Sequence, residues 1–409
     1  MRRSSIALCV GLVVCFLSGQ ATSQVSGSPS PGGVTRVARP APAPVPVPIP
    51  KRGAVTTYHT PPPGSPAAVI DFVNAKSLEL PAVAPRSDLQ AQYDLMDALQ
   101  ARPQLQIEAG FSPGADGDGH MSPIFLGAPA GGAAGEQVAP QESGTTNHPF
   151  TTARADLSGA TASNAYPYRA SGKLFFNIGT ATYMCSASLI KRGVVVTAAH
   201  CVANFGTNQF YANWRFVPAY SNGVAPYGVW SVRSASVVTA YLDGTDSCAV
   251  AGIVCQDDVA LLLLNSNAGA YPGTATGWYG WAHDGYGFIG SGIAQITQIG
   301  YPVCLDNGAI MERNDSYGYT SGMNASNTII GSLMCGGSSG GPWLVNFGIR
   351  PVLSATAAGT AGDPNVVVGV TSWGYNDGLP KEMGAAPFTS ANIVELMNTV
   401  CAEVPAACS

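Results

Sequence analysis

The aromatic residues of this 409-residue chain are concentrated in its carboxy-terminal part. Residues 165–409 contain all 6 Trp and 14 of the 16 Tyr, whereas residues 1–164 contain 20 of the 31 Pro. Large aromatic side chains supply much of the area that a folded core buries. We therefore expect one folded domain over residues 165–409, preceded by a mostly disordered Pro-rich segment.

Charge is sparse, which excludes several classes of function. The chain has 19 Lys and Arg against 24 Asp and Glu, so it has no basic excess with which to bind nucleic acid. It has 5 His and neither an H-E-x-x-H nor a C-x-x-C motif, so we expect no metal and no cofactor. No apolar run beyond the first 25 residues is long enough to cross a membrane.

The amino-terminal part is organised like a leader followed by a prosegment. Residues 1–23 have a basic start, an apolar run over 6–17 and small residues at 21–23, as in a secretory signal peptide. Residues 24–164 combine a Pro-rich spacer, a short capped helix near 87–101 and a Gly-rich linker. We expect a secreted monomer, extracellular or periplasmic, with no stable membrane insertion once the leader is removed.

Short β-rich runs separated by Gly, Asn and Pro dominate the sequence after residue 165, and they indicate an all-β sandwich or barrel. The runs are Lys173–Ile178, Ser186–Ile190, Val194–Thr197, Gly228–Val238, Val259–Leu264, Ile293–Ile299, Trp343–Val345 and Val366–Ser372. Four apolar residues between 393 and 400 lie at helical spacing, which predicts one C-terminal helix capped by Thr389 or Ser390.

Three short segments contain the residues for nucleophilic catalysis. They are T-A-A-H-C around His200, D-V-A-L-L starting at Asp258, and G-S-S-G-G-P around Ser339. A serine hydroxyl becomes a good nucleophile when a base takes its proton, and the pKa of His lies in the right range for that base. A buried carboxylate would fix the His tautomer and stabilise the imidazolium. The segments therefore predict a catalytic triad of His200, Asp258 and Ser339.

The glycines around Ser339 let backbone N–H groups approach a developing oxyanion, for which Gly337 and Ser339 are the predicted donors. Neighbouring residues offer alternatives to two members of the triad. Ser338 competes with Ser339 as the nucleophile. The acids that compete with Asp258 are Asp243, Asp246 and Asp257.

Chain order distinguishes between the known arrangements of such triads. The motif G-x-S-x-G at Ser339 also fits an α/β-hydrolase elbow, but that fold needs a His after the serine, and the last His is His283. The subtilisin order needs an acid before the His, for which Asp156 is available. The β-rich pattern, however, lacks the alternating helices of an α/β sheet. The order His, Asp, Ser remains.

These segments resemble the chymotrypsin-like serine peptidases over roughly residues 165–400. The resemblance implies an all-β fold of two six-stranded antiparallel β-barrels with the triad at their interface. It also implies hydrolysis of peptide bonds in protein or peptide substrates through an acyl-enzyme. The stretch T-S-W-G resembles the substrate-binding strand of the family. The substrate-binding residues expected from this resemblance are Leu333, Met334, Thr371, Ser372, Trp373 and Gly374.

Softer motifs at 166–169, 216–230 and 300–302 resemble the bacterial glutamyl endopeptidase-like branch. Three positions depart from relatives. Leu333 replaces the acid of trypsin-like enzymes and Thr371 the His of glutamyl endopeptidases, so we expect an apolar or small residue before the cut. Ser338 replaces the Asp that pairs with a new amino terminus, so any inhibition by the prosegment should act by blocking the cleft.

Eight cysteines remain once Cys9 and Cys15 leave with the signal peptide, an even number that suggests four disulfides among 105 pairings. The resemblance implies Cys185–Cys201, proximity suggests Cys248–Cys255 and Cys401–Cys408, and Cys304–Cys335 is then left. Two other hypotheses remain for the whole chain. One is a catalytically inactive, peptidase-like binding protein, and the other is a surface protein whose Pro-rich segment is the functional part. Retention of all three triad residues favours the enzyme.

Overall fold

The computed structural model describes residues 53–61, 69–83, 110–127, 149–156, 161–246, 257–288, 293–320, 328–348, 362–375 and 381–409. The predicted signal peptide, the predicted helix near 87–101 and the Cys248–Cys255 pair lie outside these ranges. Strands predominate within them, as predicted, and no helix in them is long and apolar enough to cross a membrane.

Six strands precede residue 165 and sixteen follow it in the described part of the chain. The early strands are β1 Val55–His59, β2 Lys76–Ser77, β3 Ala82–Val83, β4 Phe111–Ser112, β5 Ile124–Phe125 and β6 Phe150–Arg154. The later strands are β7 Ser171–Ile178, β8 Ala181–Lys191, β9 Val194–Thr197, β10 Ala203–Asn204, β11 Gln209–Phe210, β12 Ala212–Pro218, β13 Val224–Ala225, β14 Trp230–Val238, β15 Ala260–Leu264, β16 Gly280–Ala282, β17 Ile293–Gly300, β18 Glu312–Thr320, β19 Thr328–Gly331, β20 Pro342–Val345, β21 Val366–Tyr375 and β22 Glu382–Pro387. The α-helices are α1 Thr239–Asp243, α2 Gly273–Thr276, α3 Ile393–Glu403 and α4 Pro405–Cys408.

The first barrel is a closed ring of six antiparallel strands. Its order is β14-β12-β7-β8-β9-β15, and β15 returns to pair with β14. Every residue of β9 and β15 is buried, which explains why both strands are almost continuous apolar runs in the sequence. Closure pairs the backbone of each strand on both sides and so removes the exposed edges of an open sheet.

The second barrel has the same architecture. Its order is β20-β17-β18-β19-β22-β21, and β21 returns to pair with β20. It has its own apolar core, which includes Ile296, Ile330, Trp343 and Met383. Two six-stranded barrels and a C-terminal helix are therefore confirmed as the fold.

The sequence pattern did not predict β12, β18, β19 or β22, and β18 shows the reason. Its buried residues Glu312, Asn314 and Ser316 are polar. Asn314 accepts a hydrogen bond from the Thr152 hydroxyl at 2.6 Å and donates one to the Gly331 carbonyl at 2.9 Å. A strand whose inward side chains are polar lacks the alternating apolar pattern by which strands are found.

The early strands join both barrels, which the interpretation of residues 24–164 as spacer and linker did not anticipate. Strand β1 pairs antiparallel with β14, and β6 pairs antiparallel with β18. The side chains of Phe150 and Thr152 in β6 are buried. Strand β2 pairs in parallel with β8 of the first barrel, and β3 pairs in parallel with β21 of the second.

Helix α3 begins where the apolar spacing predicted it, but its cap is different. The Asn392 side chain accepts the N–H of Ile393, whereas Thr389 and Ser390 were the predicted caps. The Thr389 hydroxyl instead accepts the N–H of Asn392 at 3.2 Å. Asn is as good an N-cap as Ser or Thr, so the choice depended on where the chain turns into the helix.

The buried Glu312 carboxyl should make stability depend on pH. Burial, followed by the neighbouring Asp306 carboxylate, raises the pKa of Glu312 from 4.5 to about 9. The folded protein therefore keeps a proton that the unfolded chain releases, so the free energy of unfolding should fall as the pH rises through this range. Glu312→Gln cannot ionise and should flatten that fall, measured as thermal unfolding midpoints between about pH 5 and 9.

The matched control is Asp315→Asn, three residues along the same strand, where the carboxylate is partly exposed. We expect this variant to keep the pH slope of the parent protein. An identical slope in the parent and in Glu312→Gln would contradict the assignment.

Candidate active site

The register of two neighbouring strands brings His200 and Asp258 together. Strands β9 and β15 pair antiparallel, with Thr197 opposite Ala260. His200 lies in the short 3-10 turn Ala199–Cys201 directly after β9, and Asp258 lies directly before β15. Antiparallel pairing places the end of one strand beside the start of the other. Both side chains therefore meet at one rim of the first barrel.

The fully buried Asp258 carboxylate accepts hydrogen bonds from three donors. Its Oδ1 lies 2.8 Å from the backbone N of His200, and its Oδ2 lies 2.8 Å from His200 Nδ1. The Ser372 hydroxyl donates to the same Oδ2 at 2.6 Å. This pairing assigns the ring proton to Nδ1, so His200 Nε2 is the atom left to accept a proton.

The acids that compete with Asp258 have other partners or other positions. The backbone N–H of Asp257 donates to the carboxylate of Asp246 at 3.1 Å. Burial raises the pKa of Asp246 to about 6, and burial together with Asp246 raises the pKa of Asp257 to about 7. Asp243 is exposed and accepts hydrogen bonds within its own turn. Among these four acids, Asp258 is the one that accepts hydrogen bonds from His200.

Ser339 lies in the Gly-rich turn that leads into β20. Its carbonyl accepts the N–H of Ser186 in β8 at 2.8 Å, and the N–H of Gly340 donates to the carbonyl of Thr371 in β21 at 2.8 Å. One bond ties the turn to the first barrel and the other ties it to the second. Ser339 is thus held at the junction between the barrels.

Gly340 shows why this turn needs glycine. Its φ is +75°, a conformation that other residues rarely adopt, and a Cβ there would overlap the Thr197 hydroxyl. Thr197 precedes His200 by three residues. The missing side chain therefore allows the turn around Ser339 (residues 335–341, the serine turn) to approach the turn Ala199–Cys201 (the histidine turn) closely.

The two predicted oxyanion donors are free to act. Among the described residues, the N–H groups of Gly337 and Ser339 make no hydrogen bond. Gly337 has a φ of +94°, and its carbonyl accepts the hydroxyl of Ser186 at 2.8 Å. That hydroxyl also accepts the N–H of Tyr301 at 2.9 Å. Ser186 therefore fixes the Gly337–Ser338 peptide, which lies between the two predicted donors.

This role of Ser186 was not predicted, because the sequence placed the residue only on a strand. Its neighbours give no sign of the contact with Gly337, which lies 151 residues further along the chain. The rival nucleophile Ser338 makes a local bond instead, donating to the carbonyl of Cys335 at 2.7 Å.

The two atoms that are predicted to exchange a proton, Ser339 Oγ and His200 Nε2, are not hydrogen-bonded to each other. Within the described part of the chain, neither Ser339 Oγ nor His200 Nε2 has a hydrogen-bond partner. Ser339 is fully buried and His200 is 6% exposed. Hydrogen bonds between a nucleophile and its base often tighten only in the complex with substrate, so the lack of one here does not argue against the predicted pairing.

The predicted substrate-binding residues fall into three groups. Ser372 hydrogen-bonds Asp258, and Gly374 follows it on β21 at the rim of the second barrel. Thr371 instead faces the barrel interior, where its hydroxyl accepts the side-chain N–H groups of Gln298 and Trp343 at 3.0 and 2.9 Å. The other three are distributed over the core and its margin: Met334 and Trp373 are buried and Leu333 is partly buried.

Three disulfides lie within the described residues, at pairings that the sequence analysis proposed. They join Cys185 to Cys201, Cys304 to Cys335 and Cys401 to Cys408. The first links β8 to the histidine turn, and the second links the loop after β17 to the serine turn. Cys185, His200 and Cys201 lie close enough to suggest a metal site, but both sulfurs are in the disulfide and cannot act as thiolate ligands.

Comparison with known proteins gives the family. The trypsin family model matches residues 158–394, which is more than half of the chain. A search of curated proteins returned no match.

Similar solved structures include protease Anisep from Arthrobacter nicotinovorans, at 26% identity over 57% of this chain and 96% of that chain, with a TM-score of 0.44. A thermostable serine protease AL20 from an extremophilic microorganism is 24% identical over 55% of this chain and 93% of that chain, also with a TM-score of 0.44. A Glu endopeptidase is 17% identical over 64% of this chain and 100% of that chain, with a TM-score of 0.45. The extent of the family match shows that this protein belongs to the trypsin family of chymotrypsin-like serine peptidases.

Proposed function

We propose that this chain is a secreted serine endopeptidase, made with a prosegment, that hydrolyses peptide bonds through an acyl-enzyme. The observation that carries the proposal is the buried Asp258 carboxylate bound to His200 Nδ1. A neutral imidazole oriented in this way presents Nε2 as a base, which a structural histidine does not require. The disulfides are consistent with an oxidising compartment outside the cytosol.

The first chemical step is the attack of Ser339 on the substrate. His200 Nε2 takes the proton from Ser339 Oγ as the oxygen forms a bond to the carbonyl carbon. The imidazolium that results is stabilised by the Asp258 carboxylate, which stays ionised. Negative charge develops on the carbonyl oxygen, where the N–H groups of Gly337 and Ser339 donate hydrogen bonds.

The second step expels the amine. His200 returns the proton to the leaving nitrogen as the carbon–nitrogen bond breaks, which leaves the acyl group on Ser339 Oγ. Water then repeats the sequence with His200 as its base, and the carboxylate product leaves. The triad is regenerated without a net change in protonation.

Reaction with a fluorophosphonate tests the nucleophile. The protein recovered from the medium of a secreting host should be labelled, and Ser339→Ala should abolish the label and lower turnover by roughly 10⁴-fold or more. Ser338→Ala is the matched control, because its hydroxyl is bound to the Cys335 carbonyl, and it should keep the label. A folded protein that takes no label even after limited proteolysis within residues 24–164 would favour the inactive binding protein instead.

Removal of the Ser186 hydroxyl tests the oxyanion geometry. Ser186→Ala should lower kcat by about 10-fold with little change in KM. The reason is that the Gly337–Ser338 peptide, which lies between the two oxyanion donors, loses the hydroxyl that holds it. Ser188→Ala on the same strand is the control, since the Ser188 hydroxyl is buried and makes no hydrogen bond to any described residue. Equal losses in the two variants would show a general effect of truncation in β8.

Profiling with a peptide library tests the substrate class. Leu333 and Met334 lie where relatives keep determinants of specificity, and Met334 belongs to the second apolar core. Since neither side chain can pair with a charge, we expect cleavage after apolar or small residues. Dominance of Glu, Arg or Lys before the cut would contradict this expectation.

A further inference from the structure

Residues Lys76–Val83, here called the crossing segment, run from one barrel to the other. At its start, Ser77 pairs in parallel with Met184 of β8, and the N–H of Leu78 donates to the Met184 carbonyl at 3.3 Å. At its end, Ala82 pairs in parallel with Gly374 of β21. The segment therefore spans the groove between the strands that flank the triad.

The middle of the crossing segment lies on the serine turn. A Cβ on Gly336, the residue before the oxyanion donor Gly337, would come within 3.1 Å of the Leu78 carbonyl oxygen and 3.8 Å of the Glu79 Cα. Leu80 packs against the second apolar core, and its Cδ1 would lie 3.2 Å from a Cβ on Gly374. The segment thus fills the space beside Gly337 and Gly374 in which a substrate peptide would bind.

The chemistry sets the direction in which a productive peptide must run. His200 belongs to the first barrel and must deliver a proton to the leaving amine, so the part of the substrate after the cut lies on that side. The acyl part before the cut then lies along β21 of the second barrel. A substrate therefore runs, from its amino to its carboxyl end, from the second barrel to the first.

The crossing segment runs the opposite way, from β8 of the first barrel to β21 of the second. We propose that Lys76–Val83 is an inhibitory strand that fills the substrate groove in reverse polarity and is therefore not cut by the triad it covers. This inference rests on the proposed peptidase function. In the reversed strand, a peptide nitrogen next to the oxyanion site faces away from His200, so no proton reaches it and its bond to carbon is retained.

The chain just before the crossing segment packs firmly against the first barrel, whereas the segment itself is bound more weakly in the groove. Upstream, Ile70 is buried in the first core, and the ring of Phe72 meets that of Phe175 edge-on at 5.0 Å. Within the groove, the bonds are long, with the N–H of Gly374 at 3.4 Å from the Pro81 carbonyl. Long hydrogen bonds are weak. The anchor therefore keeps the strand nearby, while the groove contacts can be released.

The test compares variants of the full chain. Leu80→Asp places a charge against the apolar core and should raise the rate of fluorophosphonate labelling of the full-length band by ~10-fold or more. Val69→Asp adds the same charge at a side chain that is 85% exposed, and it should leave the rate unchanged. If Leu80→Asp fails to fold, Leu78→Pro removes the N–H donor at the other end of the segment and should have the same effect.

A second measurement does not depend on catalysis. In the Ser339→Ala background, hydrogen exchange at the Gly374 amide should be slow, and Leu80→Asp should accelerate it. Slow exchange together with an unchanged labelling rate would refute inhibition, and fast exchange in both chains would refute docking. Absence of labelling from every form, with Gly374 still protected, would instead refute the peptidase function.

A separate synthetic peptide tests the direction in which the crossing segment lies in the groove. A synthetic peptide of residues 69–83, added to the Leu80→Asp full chain, should slow labelling and be recovered intact by mass spectrometry, whereas a scrambled peptide should do neither. Cleavage of the added peptide between residues 77 and 81 would show that it binds as a substrate, and it would overturn the reverse orientation.

Discussion

The buried carboxylate of Asp258 is the interaction on which the rest of the structure depends. It belongs to the first barrel, and it is bound by His200 from that barrel and by Ser372 from the second. Burial of an unpaired charge costs several kcal/mol. Loss of the hydrogen bonds from His200 or from Ser372 would therefore destabilise the buried carboxylate. The bonds from His200 orient the imidazole, and the bond from Ser372 joins the second barrel to the first at the same carboxylate.

The serine turn adds a second fastening of the same kind. Its backbone is bound to Ser186 of the first barrel and to Thr371 of the second, and Gly340 makes the close approach to Thr197 sterically feasible. The groove between the barrels is then lined by β8 on one side and β21 on the other. Met184 of β8 and Gly374 of β21 lie beyond the residues that pair with β9 and β20, and both pair with the crossing segment. Under the proposed function, a substrate would compete with the segment for these backbone groups.

Local patterns predicted much of the fold and the site. The apolar runs that became β9 and β15 are buried along their whole length, so composition alone distinguished them. Strand β18 escaped prediction because Asn314 and Ser316 face inward, and their hydrogen-bond partners lie on neighbouring strands. The early strands escaped it because two-residue and five-residue pairings contain too little pattern to recognise outside the sheets that they join.

The sequence by itself determined the types of residue at the reacting positions and their order along the chain. No His follows Ser339, and the β-rich pattern lacks the alternating helices of an α/β sheet, so the order His, Asp, Ser remained. Only the tertiary structure decided which acid meets His200, because Asp257 and Asp258 differ by one step along the chain and the β9–β15 register sets which one faces the ring. It also decided the role of Ser186 and the direction of the crossing segment, since both depend on contacts between residues far apart in sequence.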